Sequence, residues 1–203
     1  MKILLATNNK EKIERFKKFI NHIDSSFEVF PPLELGIEVI DIEENGKTLM
    51  ENALLKAQAY LGKIDMPILS NDTGFYVEGE GFFDAPKRKA LEGVDKNKLS
   101  ESEISNQILN YWKDIAKKHG GKVGAAWVES FILLYPSGKS KQVESRREII
   151  LTDQEFGEAH LDMPVRALYY CKLTGKPAVL HTKEDEIIEM KPVIDAIRKL
   201  IKD

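Results

Sequence analysis

Within the first ten residues an apolar run stops, a polar turn follows and a helix begins. Lys2–Ala6 carries Ile3, Leu4 and Leu5 in succession, the pattern of a short strand buried on both faces. Thr7-Asn8-Asn9 interrupts it. Ile13, Phe16, Phe19 and Ile20 then recur at helical spacing over Lys10–Ile20, with Asn9 placed as N-cap. A buried strand feeding a helix through a polar turn commits the chain to an α/β architecture. It also builds a common seat for phosphate, because the free N–H groups and the positive dipole end of the helix meet the end of the strand.

The remaining periodicities extend that reading. Gly36–Ile42 alternates weakly and predicts a second strand, and Thr48–Leu61 predicts a helix with Leu49, Ala53, Leu54, Ala57 and Leu61 on one face. Pro67–Ser70 predicts a short buried strand halted at a turn, Asn71-Asp72-Thr73-Gly74, after which Phe75–Val77 is extended. Gly79–Asp95 reads as a long loop and Glu101–Lys117 as a helix. Val123–Tyr135 and Lys141–Leu151 form two long strands joined by Pro136-Ser137-Gly138, a hairpin turn. Pro164 to about Thr174 predicts a helix, Pro177–His181 a last strand and Pro192–Ile201 a closing helix. The expected fold is α/β, a mixed sheet with flanking helices and two lobes around a central cleft. It forms one domain over residues 1–203, with a smaller lobe made by parts of 30–45 and 120–155.

Composition excludes several partners. Thirty basic and thirty-three acidic residues leave a net charge of -3, without the Lys and Arg excess that a nucleic acid polymer requires. No window approaches the ~20 apolar residues of a membrane span. The N-terminal apolar run is too short for a signal-peptide core. The single cysteine, Cys171, cannot pair within the chain. A cytoplasmic protein with no membrane partner is expected.

Three constellations carry chemistry. Thr7-Asn8-Asn9-Lys10-Glu11-Lys12 puts a hydroxyl, two amides and two lysines at the strand-to-helix turn, where they can gather around an anion or simply cap the helix. Glu43-Glu44-Asn45-Gly46 precedes the helix carrying Glu51-Asn52, and its carboxylates suit a hard divalent cation. Thr48 and Glu51 have the spacing of a capping box. Asp72, in Ser70-Asn71-Asp72-Thr73-Gly74 after a buried strand, can ligate a metal, orient a water or close an Asx turn.

Taken in order, Thr7–Lys12, then Glu43–Ala57 with its Glu51-Asn52-Ala53-Leu54-Leu55-Lys56-Ala57, then Asn71-Asp72-Thr73-Gly74, resemble the inosine triphosphate pyrophosphatase family over roughly residues 1–78. That family hydrolyses nucleoside triphosphates of non-standard purines, such as inosine and xanthosine, to the monophosphate and pyrophosphate. The resemblance implies that Thr7, Asn8, Asn9 and Lys12 bind phosphate oxygens. Lys12 acts there as a point charge. It implies Mg²⁺ held by Glu43 or Glu44 together with Asp72, and Asp72 as general base or partner of the metal-bound water. Lys12 and Asp72 are the catalytic pair so implied. Thr73 and Gly74 would supply turn geometry and backbone contacts to the substrate. A homodimer is implied by the same analogy.

The sequence departs from the family at several points. Asn71 stands where the family has the first of two aspartates, and Asp84-Ala85-Pro86-Lys87 replaces a G-x-P-G segment. The family's F-G-[YW]-D-P segment survives only as Phe156-Gly157-Glu158, and its late S-H-R motif is absent. His160 and Arg166 are the nearby His and Arg. Arg166 reads as a helix residue with a solvated head, and His119 and His181 as surface residues. A second class of reading therefore stands beside the enzyme: a repurposed, non-catalytic nucleotide- or phosphometabolite-binding protein of the same fold.

Overall fold

The computed structural model describes residues 1–202, with Lys96 as backbone only. In chain order its elements begin β1 (Lys2–Leu5), α1 (Lys10–Ile23), β2 (Glu28–Phe30), α2 (Leu49–Gln58) and β3 (Ile68–Val77). They continue β4 (Gly81–Phe83), α3 (Pro86–Ala90), α4 (Glu101–Lys118), β5 (Lys122–Leu134), β6 (Ser140–Thr152), β7 (Tyr169–Cys171) and α5 (Lys183–Lys202). The chain divides into two compact units. The first holds Met1–Thr73, Glu129–Ser145 and Pro192–Asp203; the second holds Gly74–Val128 and Arg146–Lys191.

In the first unit β1 lies between two parallel neighbours, pairing Ile3 with Val29 of β2 and Leu5 with Leu69 of β3. Ile3, Leu4 and Leu5 are no more than 1% exposed, which is why this run carries no polar alternation. Asn9 caps α1 by accepting from the Lys12 N–H at 3.0 Å, and Phe16, Phe19 and Ile20 fill its buried face. Thr48 accepts from the Glu51 N–H at 3.1 Å as N-cap of α2. The Glu51 carboxylate reaches back to the Lys47 N–H at 2.6 Å, one residue beyond a regular capping box. Leu4, Ala53, Ala57, Tyr60, Ile68 and Ile132 share the core of this unit. Its hairpin turns at Gly138, whose φ of 82° suits glycine.

The second unit has its own core around Phe75, Trp112 and Trp127. Phe75 meets Trp112 edge-on with centroids 4.9 Å apart. β4 pairs antiparallel with the later half of β3, and β7 antiparallel with β6. The sheet is thus mixed and flanked by helices, as expected.

Several elements differ from the sequence expectation. Gly36–Ile42 is not a strand: Pro32–Leu35 forms a 3-10 turn, and the Ile40 N–H donates to the Tyr60 hydroxyl at 3.3 Å instead of to a ladder. Asn71-Asp72-Thr73-Gly74 is not a turn but the middle of β3, because burial and pairing on a buried strand override the turn propensity of these residues. Gly79–Asp95 contains β4 and α3 rather than one loop. Pro164–Leu168 is a 3-10 turn that hands directly to β7, and Ala178–Leu180 is a second such turn. The closing helix starts at Lys183, with Pro192 inside it, where proline removes one backbone donor.

Candidate phosphate and metal site

The turn after β1, the acidic loop, α2 and β3 as far as Thr73 lie within the first unit. The turn after β1 is built by its own side chains: the Thr7 hydroxyl accepts from the Asn9 N–H at 3.2 Å, and Asn9 caps α1. Thr7, Asn8, Asn9 and Lys12 line a cavity of about 270 Å³ together with Asp41, Glu44, Lys56 and Asn71. This lies just below the ~300–1,000 Å³ of pockets that enclose drug-sized ligands. It suits a phosphate chain better than an entire nucleotide.

Two cations and two carboxylates organise the cavity. The Lys56 ammonium lies 2.8 Å from Asp72 Oδ1 and 3.0 Å from Glu44 Oε1. Asp72 is 7% exposed and sits behind the cavity wall, reached through Lys56. Its second oxygen accepts from Asn52 Nδ2 at 3.3 Å, and Asn52 in turn accepts from the Gly46 N–H at 2.8 Å. Glycine is required at 46, because a Cβ there would come within 2.6 Å of Asn52 Oδ1 and 2.9 Å of the Asn52 nitrogen. The acidic loop and α2 are thereby locked to β3 through one amide.

Lys12 points to Asn71 Oδ1 at 3.4 Å. Burial of its ammonium, followed by the neighbouring Lys56 charge, lowers its pKa from 10.5 to about 8, against the opposing pull of Glu129. Asn71 is 5% exposed, and its Nδ2 donates to Glu129 Oε2 at 3.1 Å and to Thr73 Oγ1 at 3.3 Å. Glu129 also takes the Arg15 guanidinium at 2.7 Å.

The sequence-derived candidates thus separate. Thr7, Asn8, Asn9, Lys12 and Glu44 share the cavity wall, and Asp72 joins through Lys56. Glu43 is exposed and lies off that wall. Thr73 supports Asn71. Gly74 belongs to the second unit and sits in extended β3, where its missing Cβ admits the Phe82 ring rather than forming a turn. Sequence reasoning assigns no site role to Lys56, Asn52, Arg15 or Glu129, although Asn52 and Lys56 lie in the Glu51–Ala57 motif that carries the resemblance. Glu129 had a visible signal, as a lone charge inside the apolar run Ala125–Leu134.

The second unit corrects two further expectations. His181 is not a surface residue: its side chain is 0% exposed, with Nδ1 3.0 Å from Glu189 Oε2. The Arg166 head is not solvated, donating to the Ala178 carbonyl at 2.8 Å and lying 3.4 Å from Glu189. Arg147 and the Tyr169 hydroxyl, each at 2.9 Å, complete the shell of Glu189. His119 pairs with Glu80 at 3.1 Å and is partly exposed.

Residues 3–160 match the Ham1 family. A dITP/XTP pyrophosphatase of Nautilia profundicola is 44% identical over 141 residues, covering 68% of this chain and 66% of that protein. One from Thermoanaerobacter pseudethanolicus is 42% identical over 78 residues, so the match spans only 38% of each chain. The solved structure of the Staphylococcus aureus Ham1 protein superposes with a TM-score of 0.73 at 22% identity, covering 100% of this chain and 98% of that one. At that identity the superposition speaks for the fold alone. Among the described residues no helix is long and apolar enough to cross a membrane. With the family match running over residues 3–160, in keeping with the resemblance to inosine triphosphate pyrophosphatases, the chain belongs to the Ham1 family.

Proposed function

We propose that this chain hydrolyses nucleoside triphosphates of non-standard purines, in the dITP/XTP class named for its relatives, to the monophosphate and pyrophosphate, with Mg²⁺ as cofactor. The observation that carries the reading is a single ammonium, Lys56, held at 2.8 Å from Asp72 and 3.0 Å from Glu44 beside a cavity headed by the start of α1. Phosphoryl chemistry of this type depends on positioning and charge neutralisation, which such a cluster provides.

The residues fit Mg²⁺. Glu44 and Asp72 offer oxygen donors, and their shared distance to one cation, the Lys56 ammonium, supports a common cation site. Mg²⁺ is commonly held by one or two carboxylates and completed by waters and substrate phosphates. Glu44 and Asp72 are its proposed holders, and Glu43, off the cavity wall, is not. When bound, the ion would neutralise phosphate charge and lower the pKa of a coordinated water.

The chain's own groups supply the rest. Thr7, Asn8, Asn9 and the free N–H groups of α1 bind phosphate oxygens. Lys12 and Lys56 lie close enough that each charge opposes the other, and a polyphosphate between them relieves that repulsion. Asp72, oriented by Asn52 and Lys56, accepts the proton of the attacking water. Backbone contacts from Thr73 and Gly74 to the substrate belong to the same proposal, as do a cytoplasmic location and a homodimer.

Pyrophosphate release from the triphosphates of inosine, deoxyinosine, xanthosine and the standard purines, assayed with and without Mg²⁺, tests the reading. Mg²⁺-dependent release that favours the non-standard purines and vanishes in Asp72→Asn is expected. No release from any of them overturns it, and tight binding without release favours the repurposed binding protein.

A further inference from the structure

Glu129 is the most unusual charge in the first unit. Its side chain is 0% exposed, on a strand that is otherwise almost wholly apolar. Burying a carboxylate is costly unless it is paired and hydrogen-bonded, and both conditions are met. Arg15 Nη2 donates to Oε2 at 2.7 Å and Asn71 Nδ2 to the same oxygen at 3.1 Å. An amide can donate only through its nitrogen and accept only through its oxygen. With Nδ2 committed to Glu129, Asn71 Oδ1 must turn the other way, toward the Lys12 ammonium at 3.4 Å. The chain Arg15–Glu129–Asn71–Lys12 therefore runs from α1 through two strands and back to α1 at the cavity wall.

We propose that Glu129 is a positioning residue of the phosphate site, fixing the Asn71 amide so that its oxygen holds the Lys12 ammonium against the cavity. The inference rests on the phosphate-site reading above. It assigns to this pair of strands a negative charge set one residue behind the wall, with Asn71 as a neutral relay. An aspartate at 71 would face the Glu129 carboxylate at hydrogen-bond distance with no proton between them. One carboxylate is tolerated in this pair and two are not.

Charge exchange tests this directly. Glu129→Gln, Asn71→Asp and the double variant are compared by kcat and KM for inosine triphosphate with Mg²⁺, each below its own melting temperature and per mole of folded protein. Each single variant is expected to lose roughly tenfold or more in kcat/KM, the scale of one charge-assisted hydrogen bond. The double variant returns one carboxylate to the pair and is expected to exceed Asn71→Asp at least about fivefold. If folded single variants work at the wild-type level, or the double variant is no better than Asn71→Asp, the proposal is overturned. Should Glu129→Gln not fold alone, the comparison of Asn71→Asp with the double variant decides. If the wild type releases no pyrophosphate from any triphosphate, the functional reading has failed. The same comparison is then made on calorimetric affinity for inosine triphosphate: weaker binding in the single variants with recovery in the double variant is expected, and wild-type affinity in the singles, or no recovery in the double variant, overturns the proposal.

Discussion

The two units treat clustered charge in opposite ways. In the first, Lys12, Lys56 and Glu44 line a cavity of about 270 Å³, with Lys56 paired to Glu44 and Asp72 at its wall. In the second, Glu189 is 1% exposed: Arg147 and Tyr169 hydrogen-bond one of its oxygens, and His181 and Arg166 lie within 3.4 Å of the other, so the carboxylate is enclosed by protein groups. Both contain the residue types from which active sites are made. Composition therefore says little about which cluster is functional. The distinction lies in whether polar groups face one another or a space.

That contrast can be broken by mutation. Asp72→Asn should lower kcat by about 10²–10⁴-fold, the range for a general base, with the smaller change in melting temperature, because Lys56 keeps Glu44 as a partner. Glu189→Leu should do the reverse. Removing one partner of a buried ion pair costs roughly 3–5 kcal/mol, which lowers the melting temperature of a chain of this size by about 10 °C, while kcat per folded molecule changes little. Thermal melts paired with pyrophosphate assays read both. A large loss of kcat in folded Glu189→Leu would move the second cluster into the functional machinery.

Lys12→Met should raise KM for the triphosphate roughly tenfold, as expected for a lost charge-assisted phosphate contact. It should also raise stability, because a desolvated ammonium is removed. The smallest effect is with pH. The folded Lys12 pKa of about 8 lies below the unperturbed 10.5, so the folded state releases this proton first. Relative to Lys12→Met, wild-type stability should rise as pH climbs from about 8 toward 10.5, while phosphate affinity falls through the same window. Melting curves and KM values measured in parallel check the opposed signs.

What the sequence made legible follows the same division. The strand–turn–helix at Thr7–Lys12 is local: an N-cap, an apolar period and a helix start all lie within a dozen residues, so the residues specify it nearly alone. The spacing of Glu51-Asn52 and Asp72 was equally readable because a recognisable pattern carries it. Residues 71–74 were misread as a turn, since Asn, Asp, Thr and Gly favour turns until strand pairing and burial decide otherwise. Arg15 is hidden by its helix, where a basic residue most often faces water, and Lys56 stands in the motif but its spacing alone does not show the carboxylates it meets. Arg166 and His181 were misjudged because Glu189, the carboxylate that buries them, lies 23 and 8 residues away on an element the sequence showed only in its later half. Long-range electrostatic pairing leaves no local periodicity.

The central claim is that a phosphate chain occupies the cavity between the start of α1 and the Glu44–Lys56–Asp72 cluster. A crystal structure of Asp72→Asn with Mg²⁺ and inosine triphosphate tests it most directly. Phosphate oxygens in contact with Thr7, Asn9 and Lys12, and the metal beside Glu44, are expected. A triphosphate bound elsewhere, with that cavity filled only by water, would contradict it.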